Sequence, residues 1–463
     1  MGMDENSQSV IQASARASVS PQAWVDRMSE TFLDYWRRLH TSQDDWIRTT
    51  EPRHARSVNA LLQRIQERHP DHLFVAQYEG LYCTGCEEFK SESQIVNGHC
   101  IEHPTLDLIP TKETNHFFKL SAYRDAVLER ITSGALRVEP AIRRNEVLRL
   151  LEAGLQDISI SRQRQPWGIP FPGDPQQTIY VWFDAVINYL SATGFPDAGY
   201  DKLWPADLHV IGKGITRFHC IFWPAMLLAA DLPLPRAVWA HGYVQWEGVK
   251  MSKTAGTVVS VDTAIERHGP DALRYFLLRE VGFEGDGNFT WERFDARYVA
   301  DLADTLGNLV SRTLSMVHRY RGGTVPQDPT GFATPLEQAG VVALEAYRRA
   351  MDANDVQEGA AQLIGLAARA NRYVEETTPW ALAKAPDRAA ELDTVLSNLV
   401  RAVARLAVMT VPFMPEKGAL VWQLLGTRDA YDKLSWEHLT APDVANLTVE
   451  KPPVIFPKPV AGT

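Results

Sequence analysis

Apolar residues recur every four positions at Trp24, Met28, Phe32 and Trp36, the spacing of one face of an α-helix. Ser20-Pro21 just upstream supplies a cap with proline at the first helical position. A second helix is expected from about Pro52 to Arg68, so the opening segment from Asp4 to about Pro70 reads as helical. The texture then changes. Between Leu73 and about Pro172, short strand-like pieces alternate with glycines, cysteines and polar residues, which predicts a small inserted domain. From Thr178 onward the pattern alternates: Ile179 to Phe183 reads as a continuous apolar strand, with a helix from Ala185. Leu208 to Ile211 reads as a second strand, a long helix follows to about Ala230, and Val238 to Val244 reads as a third strand. Continuous apolar strands separated by helices predict a parallel sheet covered on both faces. That arrangement is half of a doubly wound nucleotide-binding fold, in which ligands sit beyond the carboxyl ends of the strands. After about Phe294 the chain reads as almost entirely helical. Leu396, Leu399, Val400, Val403, Leu406 and Ala407 keep three-four spacing, which predicts a helix packing one face into a bundle. Lys451 to Thr463 is proline-rich and reads as an irregular tail.

Length and charge narrow the possibilities. At 463 residues the chain predicts two to four domains. No N-terminal stretch has the order of a signal peptide, and the longest apolar run, Cys220 to Ala230, is broken by Pro224 and too short to cross a bilayer. A cytoplasmic protein with neither a membrane nor a DNA partner is expected. The formal net charge of −10 argues against non-specific nucleic-acid binding, yet leaves room for a specific RNA partner on a local basic surface. Of four cysteines, three lie within eighteen residues, which fits a metal site in a reducing compartment better than a disulfide framework.

Two segments carry candidate chemistry. Cys83-Thr-Gly-Cys86 is followed, thirteen residues later, by Cys100-Ile-Glu-His103. Two short-spaced pairs of thiolate and imidazole ligands can close a tetrahedron around Zn²⁺, and four protein ligands leave no open position, so such a zinc is structural. The bland alternative is four unrelated buried residues. The second segment is Trp246-Glu-Gly-Val-Lys250-Met251-Ser252-Lys253-Thr254, where Glu247-Gly248 predicts a tight turn before two lysines set three apart. Lysines on a loop near a strand's carboxyl end can neutralise charge building on transferring phosphates, whereas an isolated Lys-x-x-Lys pair is usually a solvated face.

The full string Lys-Met-Ser-Lys-Thr resembles the second signature of class I aminoacyl-tRNA synthetases, and the rest of the chain resembles the methionyl members of that family. Val181-Trp182-Phe183-Asp184-Ala185-Val186-Ile187-Asn188-Tyr189 is similar to the family's methionine-pocket segment. Ile211-Gly212-Lys213 and Phe218-His219-Cys220-Ile221-Phe222-Trp223-Pro224 are similar to the strand and helix that follow it. The resemblance implies that Asp4, Trp182, Ala185, Tyr189 and His219 bind methionine, an aromatic-walled slot suiting a polarizable thioether. It implies that Lys250 and Lys253 are catalytic and that Lys213, Met251, Ser252 and Lys253 bind ATP with its Mg²⁺. Tyr298 to Arg312, Asn371-Arg372-Tyr373-Val374 and Thr378-Pro379-Trp380 resemble the family's anticodon site, which implies that Asn308, Arg312 and Trp380 read the anticodon of tRNA(Met). Asn308 and Arg312 are four apart, so they share a helical face, off the stripe of Leu302, Leu306, Leu309 and Thr313.

Four departures accompany the resemblance. The family's first signature, His-Ile-Gly-His or a close variant, is absent with the strand before it, a unit on the order of 30 to 50 residues. Its loss is expected to slow adenylate formation and to expose a sheet edge. Gly214 stands where the family usually has Asp. Asn6 stands where it has His, and Ala255-Gly256-Thr257 stands in place of Leu-Gly-Asn. The expected organisation is residues 1–72 and 176–246 as the two parts of a Rossmann-type catalytic domain lacking its first strand–helix unit. Residues 73–175 form its zinc-binding insert, 247–325 the lysine loop and stem-contact region, and 326–463 an all-α anticodon-binding bundle. The expected function is a monomeric methionine–tRNA ligase; the alternative is a non-catalytic relative that binds methionine or tRNA.

Overall fold

Pro52 at the first helical position, after extended Glu51, opens the helix Pro52–Arg68 where the pattern predicts it. The computed structural model describes every residue except 86, 87, 91, 164, 252–258, 283, 329–333, 428, 429 and 459–463. The chain divides into two compact units, one of Met1–Arg37 and Thr41–His241, the other of Arg38–His40 and Gly242–Thr463.

In the first unit, Val58, Leu61, Leu62 and Ile65 form the buried face of the Pro52–Arg68 helix and join a core with Phe118, Phe183 and Trp223. The helix Pro21–Arg38 also forms as expected, but its fully buried positions are Val25 and Ser29, one step round from the predicted stripe, and Phe32 is exposed. Leu73–Cys83 pairs antiparallel with Ile109–Phe118, flanked by Glu88–Lys90 and Ile158–Ser159 in a four-stranded sheet. The parallel sheet runs in the order His209–Gly212, Ala237–His241, Arg137–Glu139. Gly2–Met3 and Ile47–Arg48 form a separate parallel pair.

Two strand expectations are corrected. Val181 to Phe183 are helical: the strand is Asp174–Ile179, paired antiparallel on both sides, and the helix Val181–Ala185 starts directly after extended Tyr180. The amides of Phe183 and Asp184 donate to the Tyr180 carbonyl, and Asp184 is drawn into a wholly buried polar network, a tertiary demand that overrides the β-propensity of an apolar run. Its place in the parallel sheet is taken by Arg137–Glu139. The strand expected over Val238 to Val244 divides into Ala237–His241 and Val244–Trp246. The break has a local cause: the Asp286 carboxylate accepts the Tyr243 amide at 2.8 Å, and a Cβ at Gly242 would lie 1.9 Å from the Gly285 carbonyl oxygen.

The second unit opens with a small sheet ordered Val249–Lys250, Val244–Trp246, Gly287–Phe289, and its longer described elements are helices. The Glu247-Gly248 turn has positive φ at both residues, as a tight hairpin turn demands. The helix Ala389–Thr410 is buried around nearly its whole circumference, not on one face as the spacing predicted. Its polar side is buried because it is paired: Arg405 Nη2 donates to Glu337 Oε2 at 2.6 Å and Arg401 Nη1 to Asp328 Oδ2 at 2.8 Å. Over residues 451–458 the proline-rich tail is irregular as expected, with Ile455 and Phe456 buried against the helices. No helix among the described residues is long and apolar enough to cross a membrane. The architecture is thus mixed α/β with a helical C-terminal region.

Candidate functional site

The helices Val181–Ala185 and Asn188–Ser191 carry Trp182, buried Ala185 and Tyr189, and both aromatic side chains pack against the first unit's core. Trp182 stacks on Phe218 with ring centroids 4.2 Å apart and planes within 9°. Tyr189 Oη lies 2.9 Å from His219 Nε2, and His219 Nδ1 lies 3.0 Å from the Ile215 carbonyl. A carbonyl only accepts, so Nδ1 carries the proton and Nε2 receives the tyrosine hydroxyl. His219 sits in a π-helical turn, Phe218–Phe222, a widening of the helix often found at functional sites. Behind Tyr189, His209 lies with its ring centroid 4.1 Å away and accepts from Trp223 Nε1 at 3.3 Å.

Burial sets the charge of this cluster. It pushes the Tyr189 hydroxyl up to about 12, and it pushes His209 down to about 3, with His219 nearby adding to the fall. Burial also lowers His219, against a partial rise from its bond to Ile215. At neutral pH the cluster therefore presents neutral, polarizable surfaces, fit for an uncharged ligand side chain. Asp4 follows the strand Gly2–Met3 and is exposed, two residues before buried Asn6. Lys213 is half-buried immediately beyond the carboxyl end of His209–Gly212, where parallel sheets place ligands.

At the metal candidate, the ligand atoms of Cys83, Cys100 and His103 all lie within 4.8 Å of one another. Cys83 Sγ is 3.8 Å from His103 Nδ1, and a Cβ at Gly85 would come within 2.6 Å of the His103 ring, so glycine leaves the imidazole its place. Two thiols and an imidazole converging this closely fit zinc. Cys86, the fourth expected ligand, lies outside the described residues, as do Ser252 and Lys253 of the lysine motif. Lys250 ends the strand Val249–Lys250, and Met251 is half-buried against the second unit's core.

In the second unit, Asn308 and Arg312 open the helix Asn308–Arg321 on the side away from Leu302, Leu306, Leu309 and Thr313, all buried. Arg312 Nη2 donates to Glu375 Oε1 at 2.7 Å, and Asn308 Nδ2 to Asn371 Oδ1 at 3.5 Å. Trp380, in the short helix Pro379–Leu382, is 40% exposed, large for an indole and consistent with a contact surface.

Sequence reasoning missed Arg162. It is a buried guanidinium 3.9 Å from the Tyr180 ring centroid, held by bonds to Ser159 Oγ and the Ser161 carbonyl. It lines a cavity of about 290 Å³ with Tyr82, Phe89 and Glu113. A single arginine between serines gives no signal in one sequence. His54 was missed for the same reason: it reads as an ordinary helix residue, yet its ring is wholly buried.

Residues 1–107 and 105–314 match the family of class I tRNA synthetases of the methionyl type, and residues 329–459 match the anticodon-binding domain of methionyl tRNA ligase. The methionine–tRNA ligase of Caldanaerobacter subterraneus subsp. tengcongensis is 38% identical over 476 residues, covering 99% of this chain and 72% of that one. The Bacillus subtilis methionine–tRNA ligase is 37% identical over 478 residues, covering 99% and 71%. A crystal structure of Mycobacterium tuberculosis methionyl-tRNA synthetase bound by methionyl-adenylate superposes with a TM-score of 0.92 at 35% identity, covering 98% of this chain and 91% of that one. Matched along almost its whole length by these families and relatives, this chain belongs to the methionyl class I aminoacyl-tRNA synthetases.

Proposed function

We propose that the chain works as a methionine–tRNA ligase, activating L-methionine with ATP and passing it to the 3′ end of tRNA(Met). The observations that support this are the stacking of Trp182 on Phe218 and the bond of Tyr189 to a neutral His219, rings and tautomers that suit a thioether and offer nothing to a charged side chain. Asp4 holds the substrate ammonium, since a carboxylate is the natural partner of that group. Lys213, Met251 and Ser252 bind ATP. Lys250 and Lys253 neutralise charge on the phosphates as the methionine carboxylate attacks the α-phosphorus and pyrophosphate departs. Mg²⁺, when bound with ATP, spreads the triphosphate's negative charge. Cys83, Cys86, Cys100 and His103 hold a structural Zn²⁺ that fixes the insert, and residues 73–175 serve as that insert within a Rossmann-type catalytic region. Asn308 and Arg312 bond the anticodon, and Trp380 stacks on one of its bases. The protein acts as a cytoplasmic monomer.

A second reading, a relative that keeps recognition without chemistry, draws on Gly214 and Asn6, which stand where the family has Asp and His. Exchange of pyrophosphate into ATP separates the two. Methionine-dependent exchange is expected for the ligase; silence from a chain that still binds methionine and tRNA(Met) gives the second reading.

A further inference from the structure

Four polar side chains, each at most 2% exposed, meet beside the aromatic cluster: Asn6, His54, Asp184 and Ser191. His54 stands in the first turn of Pro52–Arg68. Its Nε2 bonds Asp184 Oδ1, and its Nδ1 lies 3.0 Å from Ser191 Oγ. Ser191 has one proton, and its hydroxyl lies 3.0 Å from the Ile187 carbonyl, which only accepts. The serine oxygen is therefore left to accept from His54 Nδ1–H. The other Asp184 oxygen, Oδ2, accepts from Asn6 Nδ2 at 2.6 Å, and the same amide nitrogen reaches the Thr49 carbonyl at 3.2 Å.

The consequence is geometric. Asp184 and Ser191 bracket the segment that carries Ala185 and Tyr189, and Asp184 directly follows Trp182-Phe183. One imidazole grips this segment near both ends, while Asn6 ties it to the strand end two residues beyond Asp4. A buried hydrogen-bonded polar pair adds little net stability over apolar packing, but it imposes a direction that apolar packing does not.

We infer that His54 and Asp184 are positioning residues that hold the Trp182–Tyr189 segment, and through Asn6 the Asp4 segment, in the geometry that receives methionine. This rests on the methionine pocket proposed above. Neither side chain touches the substrate. The two arms of the clamp are separable, because glutamine at position 54 can return a donor near the Nε2 position and asparagine a donor near the Nδ1 position. The Asp184 arm is the more demanding, since its loss strands a wholly buried carboxylate.

The test combines methionine affinity by calorimetry with hydrogen exchange across residues 181–191, on the full chain well below its melting temperature. His54→Ala and Asp184→Asn are expected to weaken methionine binding by about 30-fold or more, on the order of 2 kcal/mol, and to speed exchange across the segment. His54→Gln is expected to recover most of the affinity and His54→Asn little of it. Ser57→Ala is the control. Ser57 lies on the same helix, equally buried, and bonds the Phe195 carbonyl. It is expected to lower the melting temperature with methionine affinity unchanged. The inference is overturned if His54→Ala and Asp184→Asn keep methionine affinity within about twofold of the wild type, or if His54→Gln recovers nothing. A wild-type chain that binds no methionine, with exchange across 181–191 still hastened by His54→Ala and restored by His54→Gln, overturns the pocket reading and supports the clamp.

Discussion

Both units bury a bonded pair of ionisable side chains, but to different ends. In the first, His54 and Asp184 form a wholly buried pair that joins the Pro52–Arg68 helix to the segment carrying Trp182 and Tyr189. In the second, Arg405 and Glu337 form an equally buried pair, with Arg401 and Asp328 beside it. The Arg405 guanidinium also donates to the Leu439 and Thr440 carbonyls, so it joins the helices Pro335–Asp352 and Ala389–Thr410 to the chain beyond them. None of these elements carries a residue expected to touch a ligand. Burial of such a pair thus does not by itself mark a site. What marks it is the set of residues carried by the segments the pair holds.

The largest effect that separates the two constellations is expected at Arg405. Arg405→Ala leaves buried Glu337 with only the Arg401 guanidinium, 3.9 Å away, which should destabilise the second unit by about 3–5 kcal/mol in urea unfolding. Methionine affinity should not change. The double variant Arg405→Met with Glu337→Leu should lose less than Arg405→Ala alone, because it strands no charge. A fall in methionine affinity in either variant would erase the distinction drawn here.

Next in size is the dependence on pH that His209 gives the first unit. Burial depresses His209 to about 3, below its unfolded value, so below about pH 6.5 the unfolded chain binds the extra proton and the folded chain does not. The stability contributed by neutral His209 is present above that pH. It is lost by about 1.4 kcal/mol per unit as pH falls toward the folded value. His219, lowered in the same direction, adds to the slope. The check is the difference in melting between wild type and His209→Gln from pH 7 to pH 4.5: the wild type should fall more steeply. Parallel curves would show that His209 takes up its proton alike in the folded and unfolded chain.

The smallest effect is expected at the exposed surface of the helical region. Trp380→Ala should weaken tRNA(Met) binding by about 1–3 kcal/mol, the value of one stacked base, and leave methionine affinity untouched. Loss of methionine binding in this variant would mean that the two recognition functions are not carried by separate residues.

How far the sequence foretold this varies with the physics of each element. The Pro52–Arg68 helix was legible because proline, an apolar stripe and polar flanks agree. The Cys83, Cys100 and His103 cluster was legible because metal ligation fixes spacing in the chain. The helical turn at Val181–Ala185 was not, since five residues of mostly apolar character look like a strand until the bonds of Asp184 are known. The burial of Arg401 and Arg405 was hidden likewise, because their acidic partners Asp328 and Glu337 lie more than sixty residues away in the chain. His54 and Arg162 carry no local pattern at all; only the fold reveals that one bridges two segments and that the other lies against Tyr180.

The most direct test is calorimetric titration of L-methionine and L-leucine into the chain and into Trp182→Ala. The account predicts that methionine binds, that leucine binds at least about tenfold more weakly, and that Trp182→Ala loses most of that preference. Equal affinity for the two amino acids, or a Trp182→Ala variant that selects methionine as the wild type does, would contradict it.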